Sequence, residues 1–313
     1  MPCTAPAFVS LSQCAICGNE HLTPVNQEHF DMQYQTNEVI VAYDRQTFWL
    51  NQCSQCGFIQ PEGLPEPSNF FDCLYSKSPT DEAMAAHYAW PYKDWIFQSI
   101  LSDLGNRLPH ERRTLLDVGT NVGRMLFFAK QARWAVEAIE LNADVARFAA
   151  EQTGVTVHAM NAYQLAQTNR RYDAITLTDV LEHIPDPVTI LSELKELLSP
   201  GGWIAVKVPC GINQLRKEQL RHAIGQAPDA AIATNLVHVN HFNPKSLKMA
   251  LTRAGFEAVS LQIGVPEIPP MWSSGAILSR LFRTSVYVAG RLLPGGVHTP
   301  LALNLQAYAR RAD

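Results

Sequence analysis

Cys14-Ala15-Ile16-Cys17-Gly18 and Cys53-Ser54-Gln55-Cys56-Gly57 repeat one pattern, C-x-x-C-G, with residues 19–52 between them. Four thiolates so grouped satisfy the tetrahedral preference of a structural zinc ion, and a closed four-sulfur set leaves no coordination position for catalysis. Tetrahedral iron is the alternative occupant, because the same geometry serves both metals. The glycine after each pair allows a left-handed turn in which backbone amides face the sulfurs. In a cytosolic chain this spacing favours metal over disulfides, so Cys14, Cys17, Cys53 and Cys56 are the expected ligands. Cys3, Cys73 and Cys210 lie in no activating context and read as small buried or surface residues.

A second constellation, Asp117-Val118-Gly119-Thr120-Asn121-Val122-Gly123, follows the apolar run Thr114-Leu115-Leu116. It reads as a buried strand ending in an acid, a glycine turn, and a helix beginning near Gly123. Backbone N–H groups at such a strand end point into a crevice that a nucleotide-like ligand can approach closely. The spacing is D-x-G-x-x-x-G. It lacks the second glycine through which a dinucleotide pyrophosphate touches backbone, and Asn121 stands there instead. That counts against an NAD-dependent oxidoreductase. An acid beside a glycine turn suits a ligand with a positive charge and an amino group, such as S-adenosylmethionine. Glu140, at the tip of the next strand, can accept both hydroxyls of a ribose. Asn161-Ala162, at the end of the third strand, are placed to contact an adenine ring.

The elements that must position these groups follow from periodicity. Asp81 to Asp103 reads as helical and carries Tyr88, Trp90, Tyr92, Trp95 and Phe97, an aromatic cluster for core packing or for a lid. Strands are expected at Thr114–Val118, Ala135–Ile139, Val155–Ala159, Tyr172–Thr178, Trp203–Val208 and Phe256–Ile263. Helices are expected at Arg124–Ala132, Ala143–Gln152, Val188–Leu198 and Lys245–Ala254, and Ala302–Arg310 reads as a returning edge strand. This alternation gives an α/β, Rossmann-like, doubly wound and mostly parallel seven-stranded sheet. Between the cysteine pairs, Glu38–Tyr43 and Thr47–Leu50 read as a hairpin turning at Asp44-Arg45-Gln46. Pro61, Pro65 and Pro67 mark a linker. A module so small builds little core, and the ion is expected to supply its folding energy. The expected organisation is 1–68 zinc ribbon, 69–110 linker and aromatic lid helices, 111–265 cofactor-binding domain, and 266–313 amphipathic insertion with the final edge strand.

Leu115–Gly123, Glu140, Asn161-Ala162, the Tyr172–Pro187 block and Leu198-Ser199-Pro200-Gly201-Gly202 resemble motifs of class I S-adenosylmethionine-dependent methyltransferases. The stretch from His238 through Asn243-Pro244 to Leu247, followed by Ala254-Gly255-Phe256, resembles a branch with an N-terminal zinc ribbon found among sugar and secondary-metabolite methyltransferases. The resemblance implies that Asp117, Gly119 and Gly123 hold the methionine end of the cofactor, Glu140 its ribose and Asn161-Ala162 its adenine. Thr120 and Asp179 complete that set.

Methyl transfer from a sulfonium is an in-line displacement, so the protein positions an acceptor and, where needed, removes its proton. The base belongs near the C-terminal ends of the fourth and fifth strands. His183 is the first candidate and His238 the second, with Glu182 beside them. In quinone-type O-methyltransferases, which the chain resembles here, a [DE]-x-x-E-H block holds a divalent ion beside the acceptor oxygen. Asp179-Val180-Leu181-Glu182-His183 fits that block, so a second divalent ion near Asp179, Glu182 and His183 stands beside a purely structural role. Such an ion would act as a Lewis acid. His238 matches a histidine of zinc-ribbon sugar C-methyltransferases, which carry a Tyr-His-Glu-His block. Asn235 and Val237 replace the Tyr and Glu, and this argues for a simpler acceptor. His241 is a further base candidate or a cap of the helix start at Asn243-Pro244. The reading is methyl transfer to a small-molecule acceptor, a hydroxyl of a sugar or secondary metabolite. The alternatives are C-methylation of a nucleotide-linked keto sugar and a non-enzymatic ribbon protein with a degenerate Rossmann domain.

Composition narrows the partners. The 313 residues carry a formal charge of −4, without the basic excess of a nucleic-acid binder. Hydrophobic and charged contents of 47% and 17% describe an ordinary globular protein. No apolar run is long enough to span a bilayer. The N-terminus carries no basic-then-apolar leader, and a cytoplasmic location is expected. Residues 276–293 set Ile277, Leu278, Leu281, Phe282, Val286, Val288, Leu292 and Leu293 against Arg280, Arg283 and Arg291, an amphipathic basic stripe. It reads as a lid or a homodimer face, and after these as a membrane-surface contact.

Overall fold

The structure, a computed structural model, describes residues 8–35, 40–65, 78–223, 225, 238–273 and 275–313, and their side chains except those of 8, 29–35, 40–46, 166 and 222. The N-terminal part is built of strands: β1 (Phe8–Ser10), β2 (Leu22–Gln35), β3 (Ile40–Cys53), β4 (Ile59–Pro61) and β5 (Gly63–Pro65). β2 and β3 form a long antiparallel arm, in which Leu22 pairs with Cys53 and Gln35 with Ile40. Asp44-Arg45-Gln46 therefore lie inside β3 and do not form the expected turn, while Glu38 and Val39 fall outside the described residues. Two register shifts, at Pro24/Asn26 and Phe30/Met32, let a polar stretch continue the ladder. Pro61 and Pro65 end β4 and β5 and are not linker residues, an arrangement that proline tolerates at strand margins. Pro67 lies outside the described residues.

The helix expected across Asp81–Asp103 is two: α1 (Asp81–Ala89) and α2 (Asp94–Arg107), separated by a 3-10 turn at Pro91–Lys93. Pro91 disfavours helical backbone at the preceding residue, and Trp90 is extended. Then follow β6 (Thr114–Val118), α3 (Arg124–Gln131), β7 (Ala135–Glu140), α4 (Ala143–Thr153), β8 (Val157–Ala159), α5 (Ala162–Ala166) and β9 (Tyr172–Thr178). The rest comprises α6 (Pro187–Glu196), β10 (Leu198–Pro209), α7 (Gly211–Ala223), α8 (Pro244–Arg253), β11 (Glu257–Ile263), α9 (Ala276–Leu292) and β12 (Asn304–Arg310). The seven-stranded sheet has the order β11-β12-β10-β9-β6-β7-β8. β8, β7, β6, β9 and β10 run parallel, and β12 is antiparallel to both neighbours. This is the expected Rossmann-like architecture. The chain reverses its direction across the sheet between β6 and β9, the kind of switch point where a crevice opens.

A further expectation is corrected. Ala302–Arg310 is not an edge strand: β12 lies between β10 and β11, and its Leu305 to Ala309 stretch is buried. A strand covered on both faces reads as a continuous apolar run, which the sequence alone does not distinguish from an edge.

The cysteine-bearing knuckles rest on the sheet domain. Ile59 exchanges both backbone hydrogen bonds with His241. The Phe58 and Phe242 rings meet at 5.3 Å, and Asn243 Nδ2 donates to the Cys56 carbonyl at 3.1 Å. Arg253 reaches the Ile16 carbonyl at 2.6 Å, and Cys14, Cys53 and Cys56 share a buried apolar cluster with Phe242 and Leu247. Among the described residues no helix is long and apolar enough to cross a membrane.

Asn243 also caps α8, its Oδ1 accepting from the N–H groups of Lys245 and Ser246. Asn243→Ala removes the cap and the bond to Cys56 together. A loss of about 1–3 kcal/mol is expected in urea unfolding, against a negligible change for an exposed control such as Glu257→Ala.

Candidate active site

Asp117, next to last in β6, has its side chain buried, and the Thr176 hydroxyl of β9 donates to its Oδ1 at 2.7 Å. Burial pushes the carboxyl up to about 6 despite that bond. Gly119 follows at φ +71, where a Cβ would stand 2.6 Å from Val180 Cγ2, so both backbone conformation and space require glycine. Asn121, at the position that broke the dinucleotide pattern, takes φ +51. Its N–H donates to Glu140 Oε2 at 2.9 Å, and the Asn142 N–H donates to Glu140 Oε1 at 3.1 Å. Glu140 thus ties the tip of β7 to the glycine turn. Gly123 begins α3. Asn161 caps α5 in a reciprocal capping box with Gln164, and Ala162 is buried behind it.

Two cavities lie over the C-terminal ends of the strands. The smaller, about 90 Å³, is lined by Asp117, Gly119, Thr120, Asn121 and Asp179 and roofed by Trp90 and Tyr92 from the aromatic segment. The larger, about 800 Å³, brings together Asp179, Glu182, His183 and His238. Phe282, Val286 and Tyr287 of α9 form part of its wall. Lys93, Asn121 and Asp179 line both. Gly123, Glu140, Asn161 and Ala162 are not among the lining residues of either cavity.

Asp179 is held differently from expectation. Its carboxylate pairs with Lys207 on one oxygen and with Lys93 on the other, the latter at 2.7 Å. Burial opposes ionisation, but the two ammonium groups outweigh it and hold the carboxyl well below the usual range. A carboxylate so paired is unavailable to the divalent ion expected near Asp179, Glu182 and His183. The cluster whose ligand atoms lie within 4.8 Å of one another is Glu182, His183 and His238. Both oxygens of Glu182 and Nδ1 of His238 are buried without a hydrogen-bond partner. Orphaned donors and acceptors of this kind fit a bound cation, and His238 stands beside two of the three residues expected at the second ion site.

The cluster is fixed by backbone. The Val239 and Asn240 N–H groups both donate to the Glu182 carbonyl, at 2.9 and 3.0 Å. Asn240 Nδ2 donates to the carbonyls of Leu181 and Ile184. The His183 and His238 rings meet edge-on with centroids 4.8 Å apart. Burial, then the neighbouring His183 and His241, press His238 down to about 3, so it is a neutral imidazole at physiological pH. Burial, then the charge of Asp179, pushes Glu182 up to about 8. His241 is wholly buried, away from the cavity, with both ring nitrogens unpartnered, and burial lowers it to about 4. Asn243, not His241, caps the helix start.

Lys93, Lys207 and Asn240 escaped sequence reasoning. Lys207 carried a signal, a lone cation inside the apolar run Trp203–Val208 of a strand buried on both faces. Lys93 sat within an aromatic stretch that read as packing.

At the N-terminus, Cys14 Sγ lies 3.5 Å from Cys56 Sγ, and Cys17 Sγ lies 3.4 Å from Cys53 Sγ. All four sulfurs fall within 4.8 Å of one another. A zinc–sulfur bond of about 2.3 Å implies a tetrahedron edge of about 3.8 Å, which this cluster approaches. Gly18 and Gly57 take φ +74 and +70, the left-handed turns expected after the cysteine pairs.

The chain matches a family described as "Methyltransferase domain" over residues 92–261, more than half its length. The ubiquinone biosynthesis O-methyltransferase of Cereibacter sphaeroides is 38% identical over 120 residues, covering 35% of this chain and 48% of that protein. The protein of the same name from Bordetella avium is 29% identical over 188 residues, 57% of this chain and 74% of that one. The chain thus spans about half the length of the Cereibacter relative that it matches. The solved structure of the plantazolicin methyltransferase BpumL in complex with SAH shares the fold. Its TM-score is 0.51 at 14% identity, covering 78% of this chain and 94% of that one.

The raised Glu182 carboxyl has a consequence for stability. Its folded value of about 8 lies above the ordinary 4.5, so the folded state holds the proton more tightly than the unfolded chain. The associated stability is complete below the ordinary value and is lost as pH rises through the folded one. In metal-free buffer the wild type is expected to lose on the order of a few kcal/mol relative to Glu182→Gln between these limits. Parallel melting-temperature profiles for the two proteins would contradict this picture of Glu182.

Proposed function

The chain belongs to the methyltransferase-domain family, and on that premise we propose that it transfers the methyl group of S-adenosylmethionine to a hydroxyl of a small-molecule acceptor. The observation that carries this reading is the shared wall of the two cavities. The small one lies on the Asp117–Asn121 turn, the large one holds Glu182, His183 and His238, and Lys93, Asn121 and Asp179 stand between. A donor at the turn and an acceptor in the larger cavity face each other across that wall, as an in-line displacement requires. Asp117, Gly119, Thr120 and Gly123 form the methionine end of the donor site, with Glu140 at the ribose and Asn161-Ala162 at the adenine. Trp90, Tyr92 and Phe97 roof it. Asp179, tied to two lysines, sets the charge of the wall and does not bind a metal.

His183 is the base that receives the acceptor's proton. His238, pressed to about 3, is too weakly basic for that task and positions the His183 ring. A divalent cation fits the unpartnered oxygens of Glu182 together with His183 and His238, and in that state it would take the ring lone pair that His183 otherwise offers as base. When bound it would lower the pKa of the acceptor hydroxyl. The name of the Cereibacter and Bordetella relatives supports oxygen over carbon as the methylated atom, and a sugar or secondary metabolite is the acceptor class we assign. Asn235 and Val237, on which the case against keto-sugar C-methylation rests, lie outside the described residues. We assign residues 1–68 to a zinc ribbon, Zn²⁺ on Cys14, Cys17, Cys53 and Cys56 being structural, and residues 111–265 to cofactor binding. Within 266–313, α9 serves as a lid on the acceptor cavity, with its exposed Leu278, Leu281 and Leu292 available to a second copy. Free thiols grouped for metal suit a cytoplasmic location.

Calorimetry should detect S-adenosylhomocysteine binding to the wild type, weakened at least about tenfold in Gly119→Ala, and no uptake by folded wild-type protein would sink the reading. His183→Ala is expected to retain that affinity while losing about 10²–10⁴-fold in kcat. Metal analysis should return about one zinc per chain, absent when Cys14 and Cys53 are both replaced by serine.

A further inference from the structure

The larger cavity is lined by five cations, Lys93, Lys207, Lys217, Arg221 and Arg283, in a chain whose formal charge is −4. Lys93 and Lys207 share the single carboxylate of Asp179, and Glu267 approaches Lys93 at 4.0 Å. Glu182 is the remaining acid of the lining, so five cations face three carboxyl groups. Cations therefore outnumber carboxylates around one concave volume, and a cleft lined mainly by one sign of charge focuses that field on whatever enters.

The excess gathers where α7 and α9 face the cavity. Lys217 donates to Gln214 Oε1 at 2.6 Å and Arg283 to the Glu267 carbonyl at 3.1 Å, both neutral acceptors. The Lys217 ammonium is depressed, by burial first, and by Arg221 and Arg283 among the charges around it, with Glu218 and Glu267 opposing. Such mutual repulsion is relieved by an anion that accepts from all three, and a guanidinium offers a planar fork for a carboxylate or phosphate.

We propose that Lys217, Arg221 and Arg283 form an anion subsite of the acceptor cavity, which receives a phosphate or carboxylate group of the acceptor while its hydroxyl lies against Glu182, His183 and His238. The subsite deepens, and rests on, the methyl-transfer reading. It makes the acceptor an anion and gives α9 a role beyond covering the cavity, since Arg283 travels with that helix.

The test titrates protein saturated with S-adenosylhomocysteine with pyrophosphate and, separately, with benzoate. One of the two is expected to bind, and to bind at least about tenfold more weakly to the Lys217→Gln/Arg283→Gln double variant. Binding of pyrophosphate assigns a phosphorylated acceptor, and binding of benzoate a carboxylated one. Arg283→Gln alone, at an exposed position, serves if the double variant does not fold. If neither probe binds at millimolar concentration, or if the variants bind as the wild type does, the subsite is overturned even though S-adenosylhomocysteine still binds. If pyrophosphate titrates but S-adenosylhomocysteine does not, the methyl-transfer reading falls and the anion site stands.

Discussion

Two backbone N–H groups, those of Val239 and Asn240, converge on the carbonyl of Glu182, and the arrangement of Glu182, His183 and His238 depends on that contact. It joins the turn after β9 to a segment far away in sequence, and without it His238 has no reason to meet His183. The same segment continues through His241 and Phe242 to Asn243, where it pairs with Ile59, packs on Phe58 and binds the Cys56 carbonyl. A continuous path of backbone and ring contacts therefore leads from the cysteine knuckle to the edge of the larger cavity. Gly211 shows how tightly it is packed: a Cβ there would stand 2.4 Å from His241 Cβ. The knuckles are thus a brace for the strand-end cluster as much as a module of their own.

Electrostatics divides the crevice. Asp179 is stripped of water yet remains charged because Lys207 and Lys93 approach it from both sides. Removing one partner from such a group is expensive, since the remaining charge stays buried and incompletely paired. Three residues along, Glu182 has no such partner and keeps its proton. Two acids of one short block thus occupy opposite protonation states, set by the lysines beside one and the apolar burial of the other.

Much of this could be read in the residues. The D-x-G-x-x-x-G turn located the strand end, and the sulfonium-type ligand followed from its acid and its missing glycine. Apolar runs located all seven of the sheet's strands, because buried strands carry a strong local signal. The paired C-x-x-C-G repeats announced four sulfurs that do converge. What escaped depends on long-range contact. Nothing near Asp179 in sequence reveals that Lys207 and Lys93 claim it, and nothing near His238 reveals that it completes the cluster with Glu182. Pro91, by contrast, was a local signal, and it divided a helix that the aromatic periodicity had joined.

The position of β12 sets an order on how the sheet can be completed. β11 precedes it in the chain but pairs with no other strand of the sheet, and residues 264–303 separate the two. While the polypeptide leaves the ribosome, β11 must wait with both ladder edges open until the 304–310 segment emerges and slots in beside β10. Exposed edges of that kind recruit chaperones or other nascent strands. The amphipathic stretch made in that interval, which includes α9, is available to shield β11 until its neighbour arrives.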